Sequence, residues 1–170
     1  DKEQLFDFIG KHSGIEGIIH FAASKAVGES VQMPLKYYRN NILGLINVLE
    51  AMKTFKIKNL VFSSSCTVYG QPEHLPVTEQ SPIQPATSPY GNTKQINEEI
   101  ICDFIKVNPD LHAIALRYFN PIGAHPSSLI GELPLDVPAN LVPYVTQTAA
   151  GIRECLKVFG NDYDTPDGTP

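Results

Sequence analysis

Short apolar runs alternate with long amphipathic stretches in this chain, and that alternation limits the folds open to it. Gly17-Ile18-Ile19-His20-Phe21-Ala22, Asn59-Leu60-Val61-Phe62-Ser63 and His112-Ala113-Ile114-Ala115-Leu116-Arg117-Tyr118 read as buried strands. Pro34 to Phe55 predicts a long helix, with Leu35, Tyr38, Ile42, Leu45, Leu49 and Met52 as its apolar stripe. Tyr90 to Val107 predicts a second, with Ser88 as N-cap and Pro89 as its first helical residue. Glu3 to Lys11 reads as the end of a helix, and another is expected near Asn140 to Ile152. Strands joined by helical crossovers mean βαβ units and a parallel sheet, an α/β fold. Three such strands alone leave a bare edge strand and an uncovered helix face, whereas a doubly wound sheet is built as two halves. Residues 1–118 are therefore expected to be the second half of a Rossmann-like, doubly wound dinucleotide-binding domain. Residues 119–170 are expected to begin a smaller substrate-binding domain. No GxGxxG or GxxGxxG occurs and the first residue is not Met, so the half with the glycine-rich loop is expected upstream.

The chain has 170 residues, 42% of them hydrophobic and 18% charged, as in a soluble globular protein. A net charge of −5 without a basic run argues against nucleic acid or an anionic membrane as partner. No apolar run reaches bilayer-spanning length. Cys66, Cys102 and Cys155 are scattered and odd in number, which fits reduced thiols in a cytoplasmic protein better than a disulfide framework. The five histidines lack metal-ligand spacing, so no metal site is expected.

The chemistry is concentrated in Tyr90-Gly91-Asn92-Thr93-Lys94. Tyr and Lys at i and i+4 share a helix face. The ammonium of Lys94 and the helix N-terminus are expected to lower the Tyr90 phenol, which otherwise titrates near 10, toward the range of a useful base. Alone, a Tyr-x-x-x-Lys match arises by chance about 0.4 times in such a chain, so context decides. The strand Asn59–Ser63 runs into Ser63-Ser64-Ser65-Cys66-Thr67-Val68-Tyr69-Gly70, which places hydroxyls at the carboxyl end of a parallel strand, where open α/β sheets bind ligands. The other strands end in Phe21-Ala22-Ala23-Ser24-Lys25 and Tyr118-Phe119-Asn120, and the small Ala22 and Ala23 would admit a ligand close to the backbone. His20 reads as a core histidine. Cys66 lacks a basic partner and is not expected to be a nucleophile.

These stretches resemble the extended short-chain dehydrogenases and, within them, the UDP-galactose 4-epimerases. The resemblance runs in order through His20 to Val31, Phe62 to Gly70, Ser88-Pro89-Tyr90-Gly91, Arg117 to Pro121 with Gly123-Ala124-His125, and Phe159 to Tyr163. It implies NAD as cofactor and a UDP-sugar as substrate. Tyr90 would be the catalytic base and acid, Lys94 its partner and a ligand of the nicotinamide ribose, and Ser65 the hydroxyl that bonds the sugar O4. Phe21, Ala22, Ala23, Ser24, Lys25, Asn40 and Phe119 would be further NAD contacts. Asn120, Asn140, Leu141 and Phe159 would contact the nucleotide sugar. The family commonly pairs two Asn before the Leu where this chain has Ala139-Asn140-Leu141, so one amide contact is lost. It also implies a homodimer built by the crossover helices; Tyr37 and Tyr38 read as packing, with a subunit contact as the other reading. Related nucleotide-sugar dehydratases carry Asp-Glu after the Ser or Thr, where this chain has Cys66 and Thr67. A non-catalytic NAD-binding module is the other rival, and intact Ser65, Tyr90 and Lys94 argue against it. The isolated chain is expected to be inactive.

Overall fold

A computed structural model of the chain describes residues 1–123, 125–131, 138 and 140–169. Ala124 and Ala139, which belong to two of the matching stretches, lie outside the described residues. The described residues form two compact units, Asp1–Phe119 and Asn120–Pro170.

In the first unit, the Asp1 carboxylate accepts from the Gln4 amide at 3.0 Å and starts helix α1 (Lys2–Lys11). Strand β1 (Gly17–His20) follows, then α2 (Val27–Gln32), α3 (Pro34–Tyr37), a π-helical turn (Tyr38–Ile42) and α4 (Leu43–Phe55). Lys56 ends α4 in the left-handed region, with φ of 58°, and the Ile57 amide donates back to the Met52 carbonyl. Strand β2 (Asn59–Ser63), a 3₁₀ turn (Cys66–Tyr69), helix α5 (Pro89–Lys106) and strand β3 (His112–Leu116) complete it. The second unit holds α6 (Leu141–Ala149).

The three strands pair in parallel in the order β1-β2-β3, with Ile19 beside Val61 and Val61 beside Ile114. Crossovers between parallel neighbours are as a rule right-handed, so steps in one direction put both crossover helices on one face. On that face Leu45, Leu49 and Met52 of α4, Ile101 of α5 and Ile9 of α1 pack against Leu60 and Phe62 of β2. The other face is open: Ile19 is 65% exposed and Ile114 60%. Only β2 buries a substantial part of its length, so β1 and β3 are not the buried strands their composition predicts. They are also shorter than predicted, because pairing stops at His20 with Phe62 and at Ser63 with Leu116.

The helix expected over 34–55 is interrupted. The π turn inserts an extra residue per turn, so side chains before it are rotated relative to those after it. Tyr37 is thereby fully buried in place of Tyr38, and Leu35 is left 78% exposed. The Tyr37 hydroxyl donates to Glu29 at 2.6 Å, which ties α3 to the unforeseen α2. Tyr37 is thus packing within the chain. Among the described residues, no helix is long and apolar enough to cross a membrane, and no cluster of metal-binding side chains occurs.

Candidate active site

Helix α5 begins as its sequence dictates. The Ser88 hydroxyl accepts from the Gly91 amide at 3.1 Å, and Pro89 opens the first turn. Tyr90 and Lys94 therefore lie one turn apart on the same face. Gly91 lets this helix start press on the 3₁₀ turn: a Cβ there would lie 3.3 Å from the Thr67 Cβ. Ser65 caps that turn, its hydroxyl accepting from the Thr67 amide at 3.2 Å, and the same hydroxyl is near enough to Tyr90 to act on its phenol. Gly70 closes the turn at φ of 58°, where a Cβ would lie 2.5 Å from the Pro85 carbonyl oxygen.

Lys94 is 3% exposed. Its ammonium donates to the Ser63 carbonyl at 2.6 Å and sits 5.0 Å from the Phe62 ring centroid and 5.7 Å from that of Tyr90. Burial brings its pKa down to about 8. Burial pushes the half-buried Tyr90 phenol up, the Ser65 hydrogen bond pulls it down, and the neighbouring Cys66 adds a smaller upward push. This corrects the expectation that Lys94 holds Tyr90 low. In the chain by itself the ammonium donates to a backbone carbonyl beside the ring, and desolvation of the phenol dominates. His20 is buried, as expected of a core histidine. It stacks on Phe62 at 6.0 Å, and burial followed by the Lys94 charge holds it below the usual imidazole value.

Beyond the strand ends the structure gathers several of the other candidates. Phe21, 60% exposed, stacks against Tyr118 at 6.3 Å, and the Cys66 amide donates to the Tyr118 carbonyl at 2.8 Å. Ala22 and Lys25 are exposed and Ala23 half-buried. Asn40 donates to the Ser24 hydroxyl at 3.3 Å. Phe119 instead lines a concavity of about 490 Å³ with Tyr69, Leu116 and Arg117.

In the second unit, Asn120 is exposed. Asn140, Leu141 and Phe159 meet in one concavity of about 520 Å³, together with Tyr144 and Arg153. The Arg153 guanidinium lies 4.3 Å from the Tyr144 ring centroid and donates to Gln147 at 2.6 Å. A flat cation and an aromatic ring flank the three predicted residues, a lining suited to a polar, planar group.

Two polar networks escaped the sequence reading. Asn41, 1% exposed, accepts from the Ser24 amide at 2.9 Å and donates to the Ser24 carbonyl at 3.0 Å and to Thr93 of α5 at 3.1 Å. It thus fastens the segment after β1 to the helix that carries Tyr90. An Asn among apolar helical neighbours was its only signal. The second network joins Ser64, Tyr69, Glu98 and Arg117; its signal was Glu98 on the same helical stripe as Tyr90 and Lys94.

Residues 1–169 match the family model described as GDP-mannose 4,6 dehydratase. UDP-glucose 4-epimerase of Dictyostelium discoideum is 56% identical over 167 residues, which cover 98% of this chain and 48% of that protein. The Homo sapiens UDP-glucose 4-epimerase is 58% identical over 152 residues, 89% of this chain and 44% of that protein. Among solved structures, UDP-glucose 4-epimerase from Bifidobacterium longum in complex with NAD⁺ and UDP superposes with a TM-score of 0.94 at 46% identity, over 99% of this chain and 50% of that one. The chain spans about half the length of the curated relatives it matches. With a parallel sheet that matches Rossmann-like epimerase structures and a family model matched from its first residue to its next-to-last, the chain belongs to the family described as GDP-mannose 4,6 dehydratase.

Proposed function

We propose that the complete protein is an NAD-dependent UDP-hexose 4-epimerase that interconverts UDP-galactose and UDP-glucose. The observation that carries this reading is the Ser65–Tyr90–Lys94 group at the carboxyl ends of parallel strands, in a chain more than half identical to UDP-glucose 4-epimerases. Residues 1–118 are read as the second half of the NAD-binding domain, and 119–170 as the beginning of the nucleotide-sugar-binding domain.

The residues fit NAD. Lys94 is a buried amine with one of its three N–H groups on Ser63, which leaves donors for a ribose diol. Phe21, Ala22, Ala23, Ser24, Lys25, Asn40 and Phe119 follow or face the strand ends, where two exposed rings and two small residues suit a flat cofactor lying close to the backbone. NAD, when bound, supplies a hydride acceptor and donor, so that C4 of the sugar is oxidised to a ketone and reduced again from its other face.

Tyr90, as the phenolate, takes the proton of the 4-hydroxyl and later returns it. Ser65 hydrogen-bonds the sugar O4 and holds Tyr90 in line. Lys94 keeps a positive charge beside the phenol when Tyr90 loses its proton. Asn120 binds the nucleotide sugar together with Asn140, Leu141 and Phe159, the last three of which share one concavity. Cys66 and Thr67 stand where related dehydratases carry Asp-Glu, so the site lacks the acid–base pair that elimination of water requires. A cytoplasmic homodimer is part of the same proposal, supported by the absence of a disulfide framework and by the paired crossover helices.

The test is turnover of UDP-galactose to UDP-glucose by the complete protein with catalytic NAD. Tyr90→Phe should lower kcat by about 100- to 10,000-fold, the range of a positioned general base. A 4-keto-6-deoxy product would move the assignment to a dehydratase, and NAD binding without turnover would move it to a sensor.

A further inference from the structure

We propose that Glu98 and Arg117 act as a positioning clamp that fixes the segment carrying Ser65 relative to the helix carrying Tyr90 during turnover; this role rests on the epimerase reading. Glu98 lies one turn beyond Lys94 and two beyond Tyr90 on α5. Its side chain is 12% exposed and that of Arg117 is 22% exposed. Both carboxylate oxygens are engaged: Oε1 accepts from Arg117 Nε at 3.1 Å, Oε2 accepts from a terminal guanidinium nitrogen at 2.7 Å, and Oε1 also accepts from the Ser64 hydroxyl. The remaining terminal nitrogen of Arg117 donates to the Tyr69 hydroxyl at 3.0 Å, and the guanidinium lies 4.9 Å from the Tyr69 ring centroid.

Ser65 therefore sits in a segment gripped at both ends. Ser64 precedes it and is tied to Glu98. Tyr69 ends the 3₁₀ turn that Ser65 caps and is tied to Arg117. The clamp joins α5, which carries Tyr90, to the segment that carries Ser65, and none of its four members is among the residues assigned to cofactor or sugar. A half-buried ion pair is seldom needed for stability alone, since apolar residues of like volume often serve as well. A bidentate fork fixes direction and distance instead, which is what a hydroxyl aimed at a reacting oxygen requires.

The experiment uses the complete protein with the paired variant Glu98→Met/Arg117→Leu, which removes both charges together and strands neither. Three quantities are read: kcat and KM for UDP-galactose, cooperative unfolding, and the titration of Tyr90 by NMR of ring-labelled tyrosine, assigned with Tyr90→Phe. The charged or titratable groups around that phenol are Lys94 on its own helix, Cys66 on the 3₁₀ turn and Tyr37 on α3. The expected result is a folded variant with KM within about threefold of wild type, kcat lower by roughly tenfold or more, and a Tyr90 titration moved upward as the Ser65 hydroxyl draws away from the phenol. A folded variant with wild-type kcat and an unmoved Tyr90 titration would overturn the clamp. If the paired variant does not fold, Ser64→Ala removes one link alone and should move kcat and the titration in the same directions; no movement in either overturns the proposal. Failure of the wild-type protein to epimerise would sink the epimerase reading, while the Tyr90 titration would still decide the clamp.

Discussion

Lys94 shows how a single buried charge makes the fold sensitive to pH. Burial lowers it from 10.5 to about 8. Between those values the unfolded chain still holds the proton that the folded chain has released, so stability rises with pH across the window. Below about 8 both states hold the proton and the unfavourable burial of the ammonium is fully felt; above 10.5 it is gone. Unfolding of the ligand-free complete protein by denaturant, repeated from pH 8 to 10, should show a rise approaching about 1.4 kcal/mol per pH unit. Lys94→Met should lack that rise. Parallel curves for the two proteins would mean that the ammonium stays solvated. Tyr90 and Lys94 were legible in the sequence because their interaction follows from spacing along one helix. Asn41 was not, because its bonds to Ser24 and Thr93 reach 17 and 52 residues along the chain and depend on the local π turn. The upward push on Tyr90 was not legible either, since desolvation is a property of what packs around the ring.

Among the elements, α5 was read almost as it stands, from Ser88 to its last turn, because cap and first-turn chemistry are local. The segment 34–55 was not, because periodicity assumes 3.6 residues per turn and a π turn breaks that count. The Ser88 cap matters beyond its own helix. It fixes where α5 begins, and hence where Tyr90 projects relative to Ser65. Ser88→Ala removes the acceptor from a buried Gly91 amide and should destabilise the protein by about 1 kcal/mol, within a range of roughly 0.5–2. Paired denaturation curves measure it. A Ser88→Asp variant, which keeps an acceptor, should recover most of the loss. If Asp and Ala are equally damaging, the serine is held by packing rather than by its cap.

At the scale of the whole molecule, a parallel sheet with a bare edge strand was implied by the alternation of strands and crossovers. The order β1-β2-β3 and the open sheet face were not, since apolar strands read as buried from composition alone, whereas Ile19 and Ile114 lie open. With half-buried Val61 between them in register, they form an apolar row across all three strands. A contiguous row of this kind on an ordered sheet marks a surface made to be covered. The relatives are about twice as long as this chain, so the occupant we assign is the portion of the complete protein outside these residues. That assignment separates the complete protein from the 170-residue chain by one substitution. In the complete protein, Ile19→Asp would put a carboxylate under the covering layer and should cost about 3 kcal/mol or more, read as a lower denaturation midpoint. In the 170-residue chain expressed alone, the same change falls on an open face. There it should leave the midpoint within about 0.5 kcal/mol and reduce the binding of an apolar dye. Equal and small effects in both would show that the face stays open in the complete protein.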